Sequence, residues 1–139
     1  MSELQKTIVQ PDDEYKSEVY PFSQAIRVQA GEFLFIAGQP SMDVEANTIG
    51  IGDMAAQTRQ VYKNLGNILE SVGATFSNVV ELTTFVVGRE NLPAHLEVIS
   101  ELYPTLFPDG NYPADTVAIV DGLYIEEFLL EVKAVAVLA

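Results

Sequence analysis

Cysteine is absent from this chain, and histidine occurs once, as His95. Without cysteine there is no disulfide and no thiol catalysis. With a single histidine, the residues alone indicate no zinc or iron ligand set and no Ser-His-Asp arrangement. We therefore expect no metal at the functional site.

Positive charge is scarce as well. The chain holds 7 Lys and Arg against 20 Asp and Glu, a formal net charge of −13, and its basic residues form no run. Such a charge repels phosphate backbones and anionic membranes. Nucleic acid and membrane surfaces are therefore poor candidates for partners, and the acidity is also explained by solubility alone.

Long apolar segments are missing too. No stretch approaches the roughly 20 residues of a membrane span, and the polar segment Met1 to Asp13 lacks the apolar core of a signal peptide. Apolar residues make up 48% and charged residues 19%, which is typical of a globular domain. We expect one soluble, cytoplasmic domain over residues 1–139, with residues 1–19 as an irregular N-terminal arm.

Alternating and β-branched segments predict the strands. They are Ser23–Gln29, Glu32–Gly38, Val79–Val87, Thr116–Val120 and Glu127–Leu138. The first two are predicted to form a hairpin around Gly31, a residue able to take positive φ. The last is predicted to be central, because it is apolar on both faces.

Two segments have helical periodicity. Met54–Val72 is predicted to begin after an N-cap at Asp53 and to end before Gly73. Its apolar stripe comprises Val61, Leu65, Ile68, Leu69 and Val72. A second helix is predicted to start near Asn91 or Leu92 and to kink or end at Pro104. Its buried side is predicted to comprise Leu96, Ile99, Leu102, Tyr103 and Leu106.

The order β-β-α-β-α-β-β fits an α+β fold, a two-layer sandwich in which both helices cover one face of a mixed sheet. The other face then needs cover. In a chain this small, the simplest cover is another copy of itself, so we expect an oligomer.

Glu131 is the chemically most informative residue, since it is a carboxylate inside an apolar strand and suits proton transfer or water activation. Lys133 lies two residues on and shares its face, so a salt bridge or an interface charge is the alternative. His95 is predicted to face solvent on the polar side of the second helix. Five aromatic residues either belong to the core or, with Glu131, line a mostly apolar cleft. They are Phe22, Phe33, Phe35, Tyr112 and Tyr124.

An ordered set of segments from Tyr20 to Leu138 resembles the Rid family, also called the YjgF family. The matching segments are Tyr20–Ala25, Phe35–Gln39, Ala55–Gln60, Thr83–Val87, Phe107–Ala114 and Leu130–Ala136. The resemblance implies a chorismate-mutase-like α+β fold and a homotrimer with three clefts between subunits. It also implies hydrolysis of reactive enamines and imines of amino acids, without metal or cofactor. In that chemistry an arginine binds the substrate carboxylate and a glutamate orients the attacking water.

The chain departs from the family pattern at its cleft. Glu131 matches the family glutamate and Gly38 the glycine of a Ser-Gly-Gln motif, whereas Asp115 replaces the arginine. Ala37 replaces the serine of that motif, and Phe22 replaces a tyrosine. Two further changes are Ser100 in place of an asparagine and Lys133 in place of a glutamate. We expect poor activity on anionic 2-imino acids, since Asp115 would repel their carboxylate.

Four functions stay open at this point. The first is an enzyme for an imine, enamine or related labile C–N compound without the usual carboxylate. In it Glu131 is the general acid/base, Asp115 binds the substrate or is a second acid/base, and Phe22 and Ala37 form the apolar wall. The second is a non-catalytic trimer that binds a small ligand or a protein. The third is ordinary 2-imino acid deamination with Lys133 or a backbone amide as anchor. The fourth, ribonuclease activity, is disfavoured by the net charge of −13.

Overall fold

A computed structural model describes residues 5–17, 20–29 and 31–139. The elements follow in the order β1 (Gln5–Val9), β2 (Ala25–Gln29), β3 (Glu32–Pro40), α1 (Met54–Ser71), β4 (Val79–Val87), α2 (Leu92–Leu106), β5 (Ala114–Val120) and β6 (Leu130–Leu138). Within these described ranges, no helix is long and apolar enough to cross a membrane.

Four strands form the main sheet, in the order β3-β6-β4-β5. Strand β6 runs antiparallel to both β3 and β4, whereas β4 and β5 are parallel. The sheet is therefore mixed, and the predicted central position of β6 is confirmed. Successive residues of β6 point to opposite faces of the sheet, and Leu130, Val132, Ala134 and Ala136 are buried on the face that the helices cover.

Helix α1 begins and ends where its capping residues predict. The carboxylate of Asp53 accepts a hydrogen bond from the backbone N–H of Ala56, which satisfies one free donor of the first turn. Gly73 follows the helix with φ of 74°, a conformation that glycine adopts without strain. In the apolar stripe, Val61, Leu65 and Leu69 are buried. Val72 is exposed, because it lies in the cap beyond the last turn.

Helix α2 corrects one boundary. It continues through Pro104 to Leu106 and does not end at Tyr103. A proline removes one backbone donor, but the core side chains of Tyr103 and Phe107 still dock on either side of it and hold the last turn in place. Leu96, predicted to be buried, is 40% exposed.

Both helices cover the same face of the sheet, as predicted for a two-layer α+β sandwich. The hydroxyls of Tyr62 on α1 and Tyr103 on α2 are 2.9 Å apart inside the core. On the opposite face of the sheet, Phe33 is 58% and Phe35 76% exposed. The helices therefore cover one face of the sheet. We call the opposite, uncovered face, which carries Phe33 and Phe35, the bare face.

The N-terminal region corrects two expectations. Residues 5–9 form strand β1 and are not an irregular arm, whereas residues 1–4, 18 and 19 lie outside the described residues. The expected hairpin of β2 with β3 is wrong, because β2 pairs with β1 and β3 pairs with β6. Gly31 lies against the end of β6, where its N–H donates to the carbonyl of Leu138. A Cβ there would approach the backbone of Ala139 to 2.8 Å, so this close approach requires glycine.

Candidate functional site

A cavity of about 700 Å³ lies between α2, the β4–β5 edge of the sheet and the N-terminal segment. Its walls come from Tyr15, Tyr20–Gln24, Glu81–Thr83, Leu92, His95, Leu96, Ile99, Tyr103 and Ala114–Val117. Among these lining residues there is no lysine or arginine. The cavity is therefore mostly apolar, with two carboxylates and one imidazole as its ionisable groups apart from tyrosine.

Asp115 stands at the start of β5, beside Leu82 of β4 in the parallel register. It faces the helix layer, where the buried hydroxyl of Thr84 donates to Oδ1 at 3.1 Å. Burial raises the pKa of Asp115 to about 6, although the hydrogen bonds from Thr84 and the backbone of Thr116 oppose the shift. A carboxyl group with this pKa exchanges its proton close to neutral pH, which is the range in which general acids and bases work.

His95 corrects an expectation, since it is 3% exposed and does not face solvent. Its Nδ1 lies 3.1 Å from Oγ1 of Thr58 on α1, and that hydroxyl lies 2.9 Å from the carbonyl of Met54, to which it donates. Burial lowers the pKa of His95 to about 4, so the ring is neutral at physiological pH. Ile99 and Tyr103 lie four and eight residues on, and this spacing on one buried face was the signal that could have placed His95 inside.

The N-terminal segment forms an aromatic wall over the cavity. The rings of Tyr20 and Phe22 stack with centroids 5.8 Å apart. Ser23 fastens the segment to the sheet, because its backbone N–H donates to Pro113 and its hydroxyl to the carbonyl of Tyr112. Phe22 therefore lines the cavity of the single chain.

Glu131 lies on the bare face of the sheet, on β6 beside Phe85 of β4. Its side chain covers Gly38, where a Cβ would come within 2.8 Å of the Glu131 carboxyl carbon. Ala37 is exposed and Lys133 is exposed two residues beyond Glu131, on the same face. Among the described residues the salt bridges do not include one between Glu131 and Lys133.

Asp115 and Glu131 consequently lie on opposite faces of one sheet. Leu82, the partner of Asp115, is buried beneath the helices, whereas Phe85, the partner of Glu131, points the other way. Within one chain, the structure groups Asp115 with Phe22 and His95, and it groups Glu131 with Gly38.

Two candidate residues lie outside both groups. Ser100 is exposed on α2, and its hydroxyl donates to the carbonyl of Glu97 in the preceding turn. Tyr124 is 96% exposed in the loop between β5 and β6. Neither lines the cavity of this chain.

The described part of the chain has no group of three or more His, Asp or Glu side chains arranged to hold a metal ion. The chemistry that its residues can supply is proton transfer. A carboxyl group that titrates near neutral pH, a neutral imidazole and a second carboxylate are the available groups.

Comparison with known proteins places this geometry in a family. The model of the family described as Endoribonuclease L-PSP matches residues 15–138. A RutC family protein of Pyrococcus abyssi is 34% identical over 116 residues, covering 84% of this chain and 85% of that protein. A human protein named 2-iminobutanoate/2-iminopropanoate deaminase is 31% identical over 117 residues, covering 84% of this chain and 80% of its own length.

A solved structure has the same fold. The crystal structure of a Rid family protein of unknown function from Yersinia pestis superimposes with a TM-score of 0.85 at 33% identity, covering 96% of this chain and 99% of that one. The family model spans most of the chain, and these relatives exceed 30% identity over more than two thirds of it. The chain therefore belongs to the Rid (YjgF) family.

Proposed function

We propose that this protein hydrolyses a reactive imine, enamine or related labile C–N compound that lacks the carboxylate of a 2-imino acid. The observation that carries this proposal is Asp115, a carboxylate in the cavity at the position where the family pattern has a carboxylate-binding arginine. The name of the human relative supports chemistry at a C–N bond. The absence of lysine and arginine among the described lining residues supports a neutral or cationic substrate.

In the proposed reaction, Asp115 and Glu131 share the proton transfers. Water adds to the imine carbon as Glu131 takes a proton from the water and the carboxyl group of Asp115 gives its proton to the imine nitrogen. The resulting carbinolamine collapses when Glu131 returns its proton to the leaving nitrogen and the hydroxyl proton passes to Asp115. The products are ammonia and a carbonyl compound, and both carboxyl groups regain their starting states.

This mechanism needs two copies of the chain, because Asp115 and Glu131 lie on opposite faces of the sheet. We propose a homotrimer in which the bare face of one sheet covers the cavity of its neighbour. The exposed rings of Phe33 and Phe35, stacked with centroids 6.1 Å apart, support burial of that face. Glu131, Gly38, Ala37 and Lys133 would then belong to the neighbour's side of the cleft.

Lys133 supports a second candidate function. Its ammonium group is exposed on the same face as Glu131, and among the described residues no salt bridge engages it. In a trimer it would supply the cation that the cavity lacks. Ordinary 2-imino acid deamination with Lys133 as the carboxylate anchor is therefore the alternative.

The deciding experiment compares imines of different charge. An amino-acid oxidase generates 2-iminopropionate in situ, and a flavin amine oxidase generates a carboxylate-free imine from a primary amine. Ammonia release above the spontaneous rate is measured for the wild type, Asp115→Arg, Asp115→Asn and Glu131→Gln. Asp121→Asn, an exposed carboxylate outside the cavity, is the matched control.

We expect the wild type and Asp121→Asn to act on the carboxylate-free imine, and Asp115→Asn and Glu131→Gln to lose that activity. Asp115→Arg should gain activity on 2-iminopropionate. Wild-type activity on 2-iminopropionate that Lys133→Gln abolishes would establish the alternative. Binding without turnover of either imine would identify a non-catalytic member.

A further inference from the structure

His95 is the inner polar group of the cavity, and its surroundings fix which ring nitrogen carries the proton. The hydroxyl of Thr58 has one proton, and it donates that proton to the carbonyl of Met54. Towards His95 the same oxygen can therefore only accept, so Nδ1 of His95 must be the protonated nitrogen. The ring then has a lone pair on Nε2 and no proton there.

Nε2 opens towards the cavity. Among the described residues it has no hydrogen-bond partner, and no fully buried side-chain nitrogen or oxygen of those residues lacks one. His95 also lines the cavity while the residue as a whole is 3% exposed. Nε2 is therefore accessible from the cavity, where it can accept a hydrogen bond from an N–H group of a ligand.

The rest of the cavity indicates the class of that donor. Asp115 and Glu81 supply carboxylates, and Tyr15, Tyr20 and Phe22 supply aromatic rings that attract cations. Lysine and arginine are missing from the lining residues described. The walls thus combine acceptors and aromatic faces, which suits an amine-bearing ligand with an apolar body.

We propose that His95 is a specificity-determining residue, which presents Nε2 as a fixed hydrogen-bond acceptor for an N–H group of the ligand. The ligand is a small amine or amine-bearing imine with an apolar body and no carboxylate. This substrate class rests on the proposed function, whereas the acceptor role of His95 concerns binding and is independent of turnover. Thr58 is a positioning residue, because it acts only through the tautomer of His95.

The test uses the single histidine as a probe. In 15N-labelled protein, long-range proton–nitrogen correlation identifies the protonated ring nitrogen without ambiguity. Three probes are titrated: benzylamine, which has N–H donors and positive charge; benzyltrimethylammonium, which has the charge alone; and phenylacetate, which is an anion. We expect an Nδ1-protonated ring whose Nε2 resonance shifts with benzylamine and much less with the other two.

Variants separate the hydrogen bond from the shape of the cavity. His95→Leu should weaken benzylamine binding about tenfold or more, while benzyltrimethylammonium binding changes little. His95→Gln, which keeps an acceptor, should retain part of the preference. Thr58→Val should leave a mixture of ring tautomers and a smaller preference, and Glu97→Gln, an exposed change on α2, should match the wild type.

A ring protonated on Nε2, equal binding of the two cations by the wild type, or no shift with any probe would each overturn the proposal. If His95→Leu fails to fold, the wild-type titration and the Thr58→Val variant still test whether Nε2 of His95 accepts a hydrogen bond from the ligand. Selective benzylamine binding without hydrolysis of any imine would uphold the role of His95 and reject the proposed function. If the protein hydrolyses an imine, His95→Leu leaves that activity unchanged and the two cations bind equally, the proposed function stands and the role of His95 is rejected.

Discussion

The side chain of Glu131 lies directly over Gly38, and a methyl group on Gly38 would come within 2.8 to 2.9 Å of the Glu131 Cγ, Cδ and Oε2 atoms. The missing side chain of Gly38 thus leaves the space that the Glu131 carboxylate occupies. The backbone φ of Gly38 is not positive, so the missing side chain matters for space and not for conformation.

Gly38→Ala should therefore remove activity without unfolding the protein. The methyl group displaces the carboxylate, which is the flexible end of a side chain, and a displacement of about 1 Å can cost on the order of 100-fold in rate. The measurement is imine hydrolysis with a thermal melt alongside. Gly66→Ala is the control, because a Cβ there meets only Phe76 at 3.4 Å. It should keep activity and gain up to about 1 kcal/mol of helix stability. Wild-type activity in Gly38→Ala would show that activity does not require the Glu131 carboxylate to lie over Gly38.

Asp115 and His95 make opposite contributions to stability between about pH 4 and 6.5. The pKa of Asp115 is raised from 3.8 to about 6, so its protonated form favours the folded state. This contribution to the free energy of unfolding is fully present below pH 3.8 and is lost as the pH rises through 6. His95 has its pKa lowered from 6.5 to about 4, so its contribution is present above 6.5 and is lost as pH falls towards 4. In the wild type the two slopes oppose each other.

Asp115→Asn should reveal the rise in unfolding free energy with pH that His95 contributes. We expect the variant to be about 1 to 2 kcal/mol more stable than the wild type at pH 7.5, a discounted value because Asp115 is not fully buried. Its advantage should shrink as the pH falls to 4. Urea unfolding at a series of pH values, with Asp121→Asn as control, measures both. A constant difference between variant and wild type across this range would contradict the assigned shifts.

Gln57 joins three parts of the fold from inside α1. Its amide nitrogen donates to the carbonyls of Gly50 and Glu127, and its amide oxygen accepts from the N–H of Leu129. The side chain is fully buried. Gln57→Leu should cost about 2 to 4 kcal/mol in urea unfolding, since three backbone groups lose their partner. Gln60→Leu on the next turn of the same helix is half-buried and should cost less. Equal costs for the two would argue against this role of Gln57.

Phe35→Glu should prevent assembly if the bare face of the sheet is the contact between copies. A carboxylate at a residue that is 76% exposed in the single chain costs the monomer little, but it would be buried in the trimer. Sedimentation velocity should show monomers, and imine hydrolysis should fall with assembly. Val44→Glu, at a loop residue that is 99% exposed, is the control. A trimer that survives Phe35→Glu would place the contact elsewhere.

Local signals predicted most of the main fold. Strand β4 lies at Val79–Val87 as predicted, and Asp53 caps α1, because these features depend on neighbours in sequence. Pairing of β1 with β2 was missed, since Gln5–Val9 is polar and its partner is chosen by tertiary contact. Lys6 shows this, because its ammonium group reaches the carbonyls of Ser77 and Val79 across more than 70 residues.

The site was less predictable than the fold. Asp115 and Phe22 line one cavity within the single chain, and their role in binding or catalysis stays a prediction. His95 was misplaced because a polar residue on a helix was taken to face water, whereas Thr58 on the other helix is the partner of its Nδ1 atom. No pattern within α2 alone contains that partner. The shared environment of Asp115 and Glu131 stays a prediction that a single chain does not test.

The aromatic wall of the cavity is a separable part of the molecule. Tyr20 and Phe22 reach the main sheet through the contacts of Ser23, whereas Asp115 and His95 belong to the framework of strands and helices. Exchange of the wall residues should therefore alter which molecules are admitted while the proton-transferring groups stay in place. In protein engineering, Tyr20, Phe22 and Gln24 are therefore the positions to vary, with Ser23 kept as the anchor of the segment. For natural selection, they offer a route to new ligands that leaves the stability of the core untouched.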